Sequence, residues 1–293
     1  MRNTIIILSV FALITSSCIG QTTKNASNEI NAKQINEEEQ NDSIISSIQF
    51  DWEKVIALKN NTIKELKKKE KSEDKIIMSF LNEYSKLADE FSEILFNNEN
   101  YDLFNTLIWN ENYRKADTLA LDFKSEVETN GFSIAQSEGM IYIAQNTDFI
   151  KLGISPLVNS LSIEFINLYA NEIDNICCDD AAIIISTEEL VNRVYKWGEL
   201  SKKVAELEYN NHVEYEFYSN LYLLFYGVEN TPSFDWETKK YNTEAIDLMN
   251  EIIKKYSISR AAAEFIPFIE LLENENFKET EKVKEYWKTV NKK

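Results

Sequence analysis

Histidine occurs once in this 293-residue chain, at His212. That alone removes several chemistries. A Ser-His-Asp triad, a Cys-His pair or most zinc ligand sets would all have to run through that one side chain. It sits in Asn210-Asn211-His212-Val213-Glu214, at an expected helix start, with no partner spacing around it, and reads as a structural or exposed residue. Glycine (6) and proline (3) are scarce as well. All-β folds need many tight turns built from such residues, so the shortage favours long helices. No Gly-rich phosphate loop and no Gly-x-Ser-x-Gly elbow occurs, and no motif calls for a cofactor. Positive charge is also short: 31 Lys and Arg stand against 49 Asp and Glu, a net charge of −18. Such a chain repels phosphate backbones, which argues against a nucleic-acid partner. The acidity gives solubility and, beyond that, attraction for basic partners or cations.

What the chain does have is apolar spacing of the helical kind. Ordered structure is expected from Phe50-Asp51-Trp52, with Val55, Ile56, Ile63 and Leu66 leading to the basic stretch Lys67 to Lys71. Ile77, Phe80, Leu81, Tyr84, Leu87, Ala88, Phe91, Ile94 and Leu95 recur at threes and fours, the pattern of an amphipathic helix. Asn97 to Asn100 should end it. A further helix is expected over Tyr113–Val127, closed by Asn130-Gly131. Met140 to Ala144 fits a short strand or a buried helical turn equally. Ser155-Pro156 reads as a helix start, with Pro at the first helical position. Ser186-Thr187-Glu188-Glu189 reads as a capping box opening a helix through Leu190, Val194 and Trp197. Val213 to Gly227 predicts a buried helix, and Asn230-Thr231-Pro232 a break. Helices follow over 243–256 and 260–272, the second kinked or restarted at Pro267. The last helix uses Val283, Tyr286, Trp287 and Val290.

The front end follows the export pattern. Arg2 precedes the apolar run Ile5 to Ile14, and the small residues Thr15-Ser16-Ser17 lead into Cys18. A spanning helix needs about 20 apolar residues, and this run is about half that. These residues resemble the lipobox of bacterial lipoproteins, although Thr15 stands where the family prefers Leu. The resemblance implies cleavage before Cys18, diacylglycerol on its thiol and attachment to a membrane. Cleavage after Gly20 would instead discard Cys18. In some Bacteroidetes lipoproteins, acidic residues right after the Cys direct export to the cell surface. Here Ile19-Gly20-Gln21-Thr22-Thr23 follows, which favours a periplasm-facing location. From Cys18 to about Ser47, polar residues dominate, a composition that cannot bury enough apolar area to fold. Further on, Lys254 to Ala262 resembles the junction of tetratricopeptide-like repeats, where a helix ends at an aromatic and a serine-containing turn and Ala opens the next.

Candidate chemistry is sparse. Cys177 and Cys178 are adjacent and, with Cys18 lipidated, would be the remaining thiols; they form a strained vicinal redox pair, two reduced, buried thiols, or a pairing between molecules. Asp179-Asp180 and Glu188-Glu189 form an acidic cluster in sequence. Paired carboxylates suit cation binding or glycoside hydrolysis, but these pairs lack the pattern of a calcium loop and suit helix capping better. Trp52, Trp109, Trp197, Trp236 and Trp287 fall mostly on apolar faces and read as core; Trp236, after a proline, is the one expected to be exposed.

The expectation is therefore an all-α protein, a helical array of antiparallel helix pairs after a disordered N-terminal tether. A signal peptide would occupy 1–17, a tether 18–48 and a helical domain 49–293, with room for a subdomain boundary near 130–155. The function expected is a membrane-anchored envelope lipoprotein serving as a non-enzymatic scaffold for a protein partner. A carboxylate-based hydrolase of envelope glycans and a ligand- or cation-binding protein are the alternatives.

Overall fold

The apolar spacing of residues 77–95 produces one long helix. The computed structural model describes residues 44–109 and 118–290. The expected signal peptide, Cys18, nearly all of the expected tether and the start of the helix expected at Tyr113 lie outside the described residues. After a helical turn at residues 44–46 come α1 (Trp52–Lys68) and α2 (Glu73–Phe96). Lys69 ends α1 in the left-handed conformation, its N–H returning to the Glu65 carbonyl. On α2, Ile77, Phe80, Leu81, Tyr84, Ala88, Phe91 and Leu95 are all buried. Asn97 ends the helix by bonding the Glu93 carbonyl with both its backbone N–H and its side-chain amide. α3 (Tyr101–Trp109) and α4 (Thr118–Thr129) follow.

Residues 132–145, where periodicity decides nothing, form an antiparallel hairpin of β1 (Phe132–Ser137) and β2 (Met140–Gln145). Its turn takes positive φ at Glu138 and Gly139, the twist that suits a two-residue hairpin. Buried Ile141 and Ile143 alternate with exposed Met140 and half-buried Tyr142, a period of two. The hairpin is fixed to α2 by polar bonds. The Ser92 hydroxyl accepts from the Ile143 N–H at 2.9 Å, and the Tyr84 hydroxyl accepts from the Asn146 N–H at 3.0 Å while donating to the Gly131 carbonyl.

α5 (Thr147–Ile154) runs into a 3-10 turn at Ser155–Leu157. Ser155-Pro156 thus does not open the next helix. Asn159 does, its side chain accepting from the N–H groups of Leu161 and Ser162 at the start of α6 (Ser160–Asp174). Then come the hairpin β3 (Cys178–Asp179) and β4 (Ala182–Ile183), and α7 (Thr187–Ser201), which Ser186 caps through the Glu189 N–H. α8 (Asn210–Tyr226) is followed by the hairpin β5 (Gly227–Val228) and β6 (Thr231–Pro232). α9 (Thr243–Lys255), α10 (Arg260–Asn274), α11 (Glu281–Glu285) and α12 (Trp287–Val290) complete the described chain. Pro267 lies inside a continuous α10 and restarts nothing.

The fold is all-α, an array of antiparallel helix pairs with short strand pairs between them. α7 packs along α8, and α9 and α10 pack on each other and on α7. Trp197, Val194, Val213, Phe217, Leu221, Phe265 and Phe268 are fully buried there. Ala261 and Ala262 are fully buried as well, and Ser259 caps α10 through the Ala262 N–H, so the Ala-rich junction makes a close helical hairpin. Among the described residues, those from Ile48 onward form one compact unit. Among the described residues, no helix is long and apolar enough to cross a membrane.

Candidate functional site

The apolar stripe of α7 runs through Leu190, Val194 and Trp197, and Arg193 falls within it with a side chain 1 % exposed. A buried guanidinium is tolerated only where its donors find acceptors. They do here. Nη1 donates to Oε2 of Glu172 on α6, Nε donates to Oε1 of Glu189 at 3.1 Å, and Nη2 donates to the Asn175 carbonyl at 2.5 Å. The other Glu172 oxygen accepts from Trp197 Nε1 at 2.8 Å, and Asn171 Nδ2 donates to Glu189 at 3.0 Å. Burial pushes the Glu172 carboxyl above the usual carboxylate range, and the bonds from Trp197 and Arg193 offset only part of that. Burial also acts on Glu189, but the bonds from Asn171 and Arg193 outweigh it and hold that carboxyl below the usual range.

α8 adds His212 and Glu216, one turn apart, with Nε2 3.6 Å from Oε1. The imidazole stands edge-on to Phe165 at 5.8 Å and to Trp197 at 6.0 Å. Burial lowers its pKa, so the ring is neutral at neutral pH. Burial, and secondarily the charge of Glu172, pushes Glu216 up to about 7 against the opposing pull of Arg193.

A neighbouring face of α8 lines an open groove of about 660 Å³. Tyr215, Tyr218 and Tyr222 form one wall and Trp287 of α12 the other. Trp287 stands edge-on to Tyr222 with centroids 5.1 Å apart. Tyr215 and Tyr222 are 67 % and 43 % exposed. At one end Glu214 is held by Arg260 through two bonds of 2.5 and 2.6 Å, and that guanidinium lies over the rings of Phe217 and Tyr218 at 4.1 and 5.1 Å. The groove thus carries aromatic faces and a neutralised acid.

The residues singled out in the sequence do not converge. Cys177 and Cys178 are free, half-buried thiols. Burial, with the adjacent Cys178 adding to it, pushes the Cys177 thiol up to about 12. Asp179 accepts from the Ser137 hydroxyl at 2.6 Å, and Asp180 makes the β3–β4 turn with Ala181, both at positive φ, so neither caps a helix. Glu188 is exposed in the first turn of α7, and Glu189 belongs to the Arg193 cluster. Among the described residues no group of three or more His, Cys, Asp or Glu is placed to hold a metal ion. Trp236 is exposed, as expected, at 62 %, and Trp197 is fully buried. Glu172, Arg193 and Glu216 are the residues that pattern reading passes over. The signal was present for two of them: Arg193 lies between Leu190 and Val194, and Glu216 between Val213 and Phe217, so each is a charge set in an apolar stripe.

The raised Cys177 pKa has a direct consequence. A thiol reacts as its thiolate, whose fraction falls tenfold per pKa unit. With iodoacetamide at pH 8, native Cys177 should react on the order of 1000-fold more slowly than in urea-unfolded protein, as read by peptide mass mapping. Equal rates in the two states would contradict the burial of that thiol.

No family model, curated protein or solved structure matches the chain.

Proposed function

We propose that the protein is a lipid-anchored, periplasm-facing scaffold of the bacterial envelope, and that its helical domain docks a protein partner rather than catalysing a reaction. The observation that carries this reading is the groove between α8 and α12. Its lining presents exposed Tyr215 and Tyr222 beside half-buried Trp287, and Tyr and Trp are the residue types enriched where proteins bind each other. The partner presents a basic segment. The net charge of −18 steers such a segment inward, and aromatic faces accept Lys and Arg side chains. Attachment rests on Cys18, whose context resembles a lipobox.

The test is affinity capture from the envelope of the source organism with three baits: the intact protein, Cys18→Ala, and the groove variant Tyr215→Ala/Trp287→Ala. The intact protein should recover a specific basic partner, released by raised salt. The groove variant should recover at least about tenfold less, since aromatic anchors at interface centres contribute about 2 kcal/mol or more each. Cys18→Ala should leave the membrane fraction, and mass spectrometry should find a lipid-sized addition on Cys18 of the intact protein. Capture of no specific protein, or equal capture by the groove variant, defeats the scaffold reading. An unmodified N-terminus at Gln21 defeats the anchor.

A further inference from the structure

The cluster on the inner side of α8 is unbalanced. Three carboxylates, Glu172 on α6, Glu189 on α7 and Glu216 on α8, share one guanidinium, that of Arg193. Arg193 is already committed to Glu172, Glu189 and the Asn175 carbonyl. Glu216 is left with His212, whose Nε2 is fully enclosed, has no hydrogen-bond partner and lies 3.6 Å away. The Glu216 side chain is only 17 % exposed. Glu172 and Arg193 act on it through their charges, and the Tyr169 hydroxyl on α6 also faces it but is occupied in donating to Gln145 Oε1 at 2.9 Å. Among the described residues, no cation is free to neutralise a Glu216 carboxylate in this packing.

We propose that Glu216, set against His212, is an internal proton site, and that release of its proton to solvent loosens α8 from α6 and α7. Below neutrality the proton is part of the native structure. When it leaves, a buried carboxylate faces a neutral imidazole and the charge of Glu172. The site is independent of what the groove binds, although the same helix carries both.

The direction of the pH effect follows from the two states. Burial holds folded Glu216 at about 7, against an ordinary 4.5. Its contribution to stability is therefore fully present below about 4.5 and is lost as pH rises to about 7. His212 acts in the opposite sense: its folded pKa lies below 6.5, so its contribution is lost as pH falls below that value. Comparison with Glu216→Gln, which keeps His212 and the side-chain shape, isolates the carboxyl.

Three measurements on the full chain test the proposal. Carbon-13 NMR of the Glu216 carboxyl in the wild type, assigned by its absence in Glu216→Gln, should show a titration midpoint near 7. A midpoint in the ordinary carboxylate range overturns the proton site. Urea unfolding of the two proteins from pH 5 to 8 should show the wild-type folding constant falling on the order of 100-fold relative to the variant. Parallel pH profiles overturn it as well. At pH 8, amide hydrogen exchange in α8 should be faster in the wild type than in Glu216→Gln, with α10 unchanged. Equal exchange in α8 rules out the loosening.

Discussion

Arg193→Met is expected to remove about 3–5 kcal/mol of folding free energy, a large share of the roughly 5–15 kcal/mol that holds a domain together. Methionine fills much of the volume, so the loss comes from the groups left behind. The Glu172 carboxylate would keep only the Trp197 bond, and the Asn175 carbonyl would lose the Arg193 donor. Glu189 would keep Asn171 and suffers less, its side chain being 31 % exposed. Adding Glu172→Gln should restore part of the loss, because a neutral amide still accepts from Trp197 without burying a charge. The loss should also be smaller at pH 5 than at pH 7.5. Without Arg193 the Glu172 carboxyl, already raised by burial, rises further, and a raised carboxyl penalises folding only once the unfolded chain has ionised. Urea unfolding of the wild type, the single variant and the double variant at both pH values measures all of this. A loss under about 1 kcal/mol at pH 7.5, or no recovery in the double variant, would mean that the cluster does not carry the packing assigned to it.

The helices of this fold are legible in the sequence because burial on one side of a helix repeats every 3.6 residues. α2 shows it: Ile77, Tyr84, Phe91 and Leu95 appear at the right intervals and all are buried. Caps are legible where a side chain must satisfy N–H groups locally, as Ser186 does for α7. Ser155-Pro156 misleads for a related reason. Proline tolerates a 3-10 turn as well as a first helical turn, and the cap that forms is Asn159. The β1–β2 hairpin is opaque because five apolar-leaning residues suit either periodicity, and only α2 beneath it decides. The Arg193 cluster is opaque for a deeper reason. Glu172 and Arg193 are 21 positions apart, and their bond exists only because α6 packs beside α7. The acids Asp179-Asp180 and Glu188-Glu189 are adjacent in sequence, yet strand pairing and helix phase send Asp179 to Ser137 and Glu189 to Asn171 and Arg193.

Gly227→Ala should be the most damaging Gly-to-Ala change among the described residues, at about 3–5 kcal/mol. Gly227 ends α8 at φ +73° and ψ −159°, a region that only glycine occupies readily. Strain there accounts for about 1–3 kcal/mol. The rest is steric. A Cβ would stand 2.3 Å from the Thr231 carbonyl oxygen, 2.6 Å from the Ser233 nitrogen and 2.7 Å from the Pro232 Cα. All three are backbone atoms of the β5–β6 hairpin, so no side chain can rotate away. The hairpin must open, and it carries more than itself. The Ser233 N–H returns to the Tyr226 carbonyl at 3.2 Å, and the Asn242 N–H, at the cap of α9, bonds the Ser233 carbonyl at 2.9 Å. Tyr226 in turn donates to the Val283 carbonyl at 2.9 Å, close to Trp287 in the groove wall. Gly139→Ala is the control. Gly139 also has positive φ, +81°, but a Cβ there meets nothing within 4 Å, so only strain of about 1–2 kcal/mol applies. Urea unfolding should therefore rank Gly227→Ala well below Gly139→Ala, and only the former should change the tryptophan emission of the folded state. Equal losses in the two variants would reduce Gly227 to a conformational requirement and free the hairpin from the role of bracing α8 against the C-terminal helices.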